Sequence, residues 1–177
     1  MKRLRTALLL TVVLGAASAV IADNQRDLRA DLSGYEEVPT LSSSGSARFE
    51  ARINKDESAV EWQLSYADTE SPVTQAHIHF AAPAINGPII VFFCTNLGNG
   101  PAGTQPCPAA PATISGTFSA ADVGAAGAAA GIEAGNLEEL IAAIRAGATY
   151  ANVHTTGRGG GEVRGQIVAH DAGHRQN

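Results

Sequence analysis

Beyond its first five residues the 177-residue chain holds no cluster of basic residues, and that absence excludes several kinds of partner. It has 12 Lys and Arg against 17 Asp and Glu, for a formal net charge of −5. Three of the cations, Lys2, Arg3 and Arg5, open the chain, and removing them takes the net charge to −8. Such an acidic chain has no electrostatic footprint for nucleic acid or anionic lipid. The nucleophile elbow, the phosphate loop and the zinc-protease helix motif are all missing, so nothing in the sequence points to a hydrolase. After residue 22 there is no apolar run long enough to span a bilayer. Cysteine is scarce: only Cys94 and Cys107 occur, and none follows the N-terminal apolar stretch where a lipoprotein would carry one.

That stretch reads as an export signal. A basic start leads into the apolar residues Ala7 to Leu14, interrupted only by Thr11, and small residues follow. Cleavage after Ala19 or after Ala22 fits the small-x-small rule. The competing reading is a membrane anchor, but Thr6 to Ala22 is only 17 residues, at the short limit for a span, and rich in Ala, Gly and Ser. Removal of residues 1–22 leaves 155 residues, enough for one domain with a core of its own. The expected location is therefore secreted or periplasmic. In an oxidising compartment, Cys94 and Cys107, flanking a Gly-, Pro- and Asn-rich segment, are expected to form a disulfide, with thiolate metal ligation as the competing role.

Most of the remaining chain alternates with period two. Leu28, Ala30 and Leu32 share one strand face. Ala47, Phe49, Ala51 and Ile53 share another, opposite Arg48, Glu50 and Arg52, and after a polar turn Val60, Trp62, Leu64 and Tyr66 alternate with Glu61, Gln63 and Ser65. This is a half-buried antiparallel hairpin with one wet face. Further strands are expected over Val73 to Phe80, Pro88 to Cys94 and Thr113 to Phe118. A last hairpin pairs Tyr150 to Thr155 with Gly161 to Ala169. Ser119 to Gly135 is nearly all Ala and Gly and too loose for more than a short helix. Asn136 is an N-cap, Leu137, Leu140, Ile141 and Ile144 mark one helical face, and Gly147 sits at the C-terminal cap. The fold class is mainly β: a Greek-key-like antiparallel sandwich or flattened barrel with one short helical crossover insertion. His170 to Asn177 reads as a frayed, flexible tail.

Five histidines are present, and His77, His79 and His154 fall in two strand-like segments. His77 and His79 project from one strand face, roughly 7 Å apart along the strand. With His154 from a second strand they make a candidate metal trio suited to zinc, copper or nickel. Glu37 and Glu162 are the candidate carboxylates, either as ligands or as partners for an imidazole's second nitrogen. The competing reading is that each ring bonds a carbonyl or carboxylate and merely joins strands.

Four motifs carry a family resemblance: Leu32-Ser33-Gly34-Tyr35-Glu36-Glu37-Val38-Pro39, Ala76-His77-Ile78-His79, Tyr150-Ala151-Asn152-Val153-His154-Thr155 and Gly161-Glu162-Val163-Arg164-Gly165-Gln166. In this order, over about Asp27 to Ala169, the chain resembles the CHRD domain. That domain is named for its repeats in chordin, an extracellular antagonist of bone morphogenetic proteins, and also occurs alone in exported microbial proteins. A weaker, local likeness joins His-Ile-His and the glycine-rich turn to copper-zinc superoxide dismutase, a β-sandwich enzyme. The chain departs from it by having three histidines within the fold where the dismutase needs six histidines and an aspartate.

Arg164 shares a strand face with Glu162 and Gln166, opposite Val163 and Ile167. If inward it needs a carboxylate, and Glu37 is the expected partner in a structural ion pair joining the first motif to the last. No catalytic residue is assigned. The resulting expectation is a binding module for a metal ion or an extracellular protein partner. A small redox or hydrolytic metalloenzyme and a purely structural or adhesive module are the alternatives.

Overall fold

The computed structural model describes residues 25–171; the signal segment expected over 1–22 and His174 lie outside them. Nine strands form one antiparallel sheet: β1 (Gln25–Ser33), β2 (Ser46–Ile53), β3 (Ala59–Ala67), β4 (Val73–Phe80), β5 (Ile89–Thr95), β6 (Ala112–Ser119), β7 (Thr149–Thr155), β8 (Val163–Gln166) and β9 (Val168–Asp171). Their order is β5-β4-β7-β8-β1-β2-β3-β6, with β9 paired to β1. Of the two expected architectures, the structure is the barrel, nearly closed rather than split into two layers.

Closure follows from the period-two faces. Leu28, Ala30 and Leu32 of β1, Phe49 and Ile53 of β2, and Val60, Leu64 and Tyr66 of β3 are all buried on the inner side. Each Val, Leu, Ile or Phe among them contributes about 1.5–3 kcal/mol when fully buried. The edge strand β5 curls round to reach them: the Phe93 ring centroid lies 4.7 Å from Trp62 and 5.2 Å from Phe49. Across the seam between β5 and β6 runs the segment that carries the Cys94–Cys107 disulfide. Gln105 donates to the Ser115 carbonyl of β6, and Thr95 of β5 donates its N–H to the Gln105 carbonyl.

The helix α1 (Leu137–Arg145) is the expected crossover into β7. Asn136 caps it by accepting from the Glu139 N–H, and Gly147 follows in the left-handed conformation at φ +68°. Leu137, Leu140, Ile141 and Ile144 are buried. The Ala- and Gly-rich stretch before it forms two short 3₁₀ helices, Ala120–Asp122 and Ala125–Ala130.

Two boundaries differ from the sequence expectation. The last strand is two strands: Ile167 turns its N–H to the Thr149 carbonyl and separates β8 from β9. The terminal strand also runs past Ala169, because His170 pairs with Asp27 and Asp171 with Gln25, so these two residues belong to the sheet rather than to a frayed tail.

Candidate metal centre

Strands β4 and β7 differ from β2 and β3 in being buried on both faces. On the inner face lie Ala76 and Ile78 of β4 with Ala151 and Val153 of β7. On the outer face lie His77, His79, Tyr150, Asn152 and His154, none more than 8 % exposed. Antiparallel pairing sets His77 opposite Asn152, His79 opposite Tyr150, and His154 opposite Gln75. His154 is thus one cross-strand diagonal from His77.

Three loops bury this outer face. The β4–β5 loop brings the Gly87 carbonyl to 2.8 Å from His79 Nδ1, and the Gly87 N–H to the Tyr150 hydroxyl. The β7–β8 loop brings the Gly159 carbonyl to 3.0 Å from His154 Nδ1. The β1–β2 loop brings Glu37, whose Oε1 accepts from Asn152 Nδ2 at 2.7 Å. Asn86 ties two of these loops together by donating to the Val38 carbonyl. Gly161 is required beneath Glu37: its φ is +127°, and a Cβ there would fall 2.5 Å from Glu37 Oε1.

The structure brings the three predicted histidines together. One ligand-capable nitrogen from each ring lies within 4.8 Å of those of the other two. The ring centroids are 4.5 Å apart for His77 and His154, 4.7 Å for His77 and His79, and 6.1 Å for His79 and His154. Because Nδ1 of His79 and of His154 each faces a carbonyl, each donates its single proton there and leaves Nε2 as a lone pair. Those two Nε2 atoms and both nitrogens of His77 are buried with no hydrogen-bond partner among the described residues. A buried polar atom without a partner costs about 1–3 kcal/mol. Three of the four, one from each ring, can be lone pairs, and a shared cation would relieve those three.

Burial keeps the rings neutral. It pushes His77 well below the ordinary imidazole value, with His154 and His79 adding to the effect. It takes His79 down to about 4 and also lowers His154, each opposed by the carbonyl that its Nδ1 meets. Neutral imidazole is the metal-binding form.

The carboxylates go elsewhere. Glu162 is fully buried, but its Oε1 accepts from Ser43 Oγ and the Glu70 N–H, and its Oε2 from Thr155 Oγ1. Glu37 bonds Asn152, and neither carboxylate joins the cluster of candidate ligand atoms. The second nitrogens of His79 and His154 meet carbonyls instead. The expected Glu37–Arg164 contact is corrected too: Arg164 donates to Asn86 Oδ1 and the Ile85 carbonyl, and the two residues form no salt bridge. Glu37 is held above the ordinary carboxylate value chiefly by burial, opposed by its Asn152 bond and by the more distant Arg164 charge.

Sequence reasoning missed Tyr150, Asn152, Asn86 and Gly87. The first two alternate with His154 at period two and so had a signal; the others sit in a loop that has none. Of two surface cavities, of about 490 and 200 Å³, neither is lined by a histidine: one lies beside Arg48 and Tyr66, and one lies in the β5–β6 seam with Phe92 in its wall.

Fold and site together define a secluded histidine cluster capped by loops on the outside of an antiparallel barrel. Residues 28–167 match the CHRD domain, and the chain belongs to that family. No curated protein and no solved structure matches it.

Proposed function

We propose that this protein is an exported metal-binding module whose His77, His79 and His154 hold one transition-metal ion, zinc, copper or nickel, through ring nitrogens. The observation that carries the reading is the set of partnerless nitrogens converging on one buried spot while Nδ1 of His79 and of His154 is anchored on a carbonyl. A neighbour that fixes the second ring nitrogen sets tautomer and orientation, as at metal-ligating imidazoles generally. Export is supported by the sequence of the first 22 residues and by the disulfide.

Binding is favoured over turnover. The rings are almost wholly enclosed, and neither cavity touches them. A purely structural role for the histidines would leave each nitrogen on a carbonyl or carboxylate, and both nitrogens of His77 have no such partner.

Equilibrium dialysis of the apoprotein against zinc, copper and nickel tests this reading. One ion per chain is expected, with most of the affinity lost in both His77→Ala and His154→Ala, since two imidazoles make a weak chelate. Unchanged binding in both variants contradicts the site.

A further inference from the structure

The enclosure of the centre bears on which ion it takes; this inference rests on the reading that a metal is held there at all. Consider first the number of donors. Among the described residues no carboxylate or thiol joins the three imidazoles. Glu37 and Glu162 are bonded elsewhere, and both cysteines are in the disulfide. Zinc requires a fourth ligand, supplied in structural sites by a side chain and in catalytic sites by water or substrate. Here the protein offers only three, and a solvent ligand must pass rings that are 0, 8 and 5 % exposed for His77, His79 and His154. Phe92 lies edge-on to His77 at 5.1 Å between centroids, and Tyr150 stacks on His79.

Charge points the same way. All three donors are neutral, so no ligand offsets the charge of an ion. Arg164, 2 % exposed, lies in the same layer with its guanidinium carbon 3.5 Å from the Tyr150 ring centroid, and the Glu37 carboxyl, 7 % exposed, lies in that layer on Asn152. The cost of burying an ion rises with the square of its charge, so a divalent ion costs about four times a monovalent one of the same size. A closed site of three neutral nitrogens therefore disfavours Zn(II) and Ni(II). It suits a d¹⁰ monovalent ion that accepts three ligands, and imidazole is a good donor to copper.

We infer that the His77–His79–His154 centre is selective for monovalent copper, bound by three imidazole nitrogens. Anaerobic titration of the full-length apoprotein with Cu(I) against bicinchoninate, run beside Zn(II) against a zinc chromophore, tests it. The expected result is one Cu(I) per chain, bound tighter than Zn(II), with X-ray absorption reporting three nitrogen neighbours. Zn(II) binding as tight as Cu(I), or a fourth ligand on bound copper, overturns the assignment and leaves the metal centre standing. Binding of neither ion overturns the assignment, and if dialysis also finds no Ni(II) bound, the metal centre falls with it. The double variant His170→Ala/His174→Ala must keep the Cu(I) affinity; loss there moves the ion to the C-terminal segment and overturns the proposal.

Discussion

The Arg164 guanidinium lies over Tyr150, its carbon 3.5 Å from the ring centroid. Tyr150 in turn stacks on His79, with centroids 4.6 Å apart and planes 7° from parallel. Since β4 and β8 flank β7 on opposite sides, His79 and Arg164 occupy opposite faces of the tyrosine. This stack explains how a nearly buried arginine does without a carboxylate: the ring face and two neutral oxygens share its charge. It also fixes the orientation of His79.

If the ring rather than the hydroxyl does this, the two truncations of Tyr150 must separate. Tyr150→Phe keeps both stacked faces and loses only the bond from the Gly87 N–H, at about 1 kcal/mol or less. Tyr150→Ala should cost about 3–5 kcal/mol. Urea unfolding reads both, and equal losses would assign the stabilisation to the hydroxyl.

How much of this was legible in the sequence follows from what has a period. Phe49, Trp62 and Leu64 announce their strands through alternation, and Asn136 and Gly147 announce the helix ends through cap chemistry. His77 and His79 announce a shared face by their spacing, and His154 announces itself by lying in a second apolar, strand-like segment. The cover over that face was not legible. Pro83 to Gly87 and Glu37 to Pro39 lie outside regular helices and strands, and only tertiary contact decides where they lie. For that reason Arg164 was assigned to Glu37, the obvious charge, when the loops deliver Asn86 and the Ile85 carbonyl to it and Asn152 to Glu37.

Glu162 should behave as a structural hub. Its two oxygens take three donors, from Ser43, Glu70 and Thr155, which pin the β1–β2 and β3–β4 loops to the end of β8. Glu162→Ala leaves those donors without their acceptor and is expected to cost about 3 kcal/mol or more. A loss under about 0.5 kcal/mol, the size of an ordinary surface change, would show that the loops hold without it.

Reduction of Cys94–Cys107, which are 13 residues apart, should remove about 3 kcal/mol by freeing that loop in the unfolded chain. Unfolding with and without reductant measures it. An unchanged midpoint would mean that the Gln105 and Asn96 hydrogen bonds close the seam unaided.

Acid should destabilise the apoprotein through the trio. All three folded-state values lie below that of free imidazole, so the unfolded chain takes up more protons and stability falls as pH drops below about 6.5. With His79 at about 4, that residue alone accounts for about 3 kcal/mol between pH 7 and pH 4. A His79→Gln variant should show a flatter profile over this window. Profiles that superimpose would show that His79 titrates normally.

The central claim is that these three buried rings hold a metal in the living cell. Elemental analysis of the protein purified from its native compartment, without added metal or chelator, tests it most directly. The account predicts about one transition-metal ion per chain in the native protein, absent from a folded His77→Ala variant prepared in the same way. A native protein free of metal, or a variant that keeps it, would contradict the account.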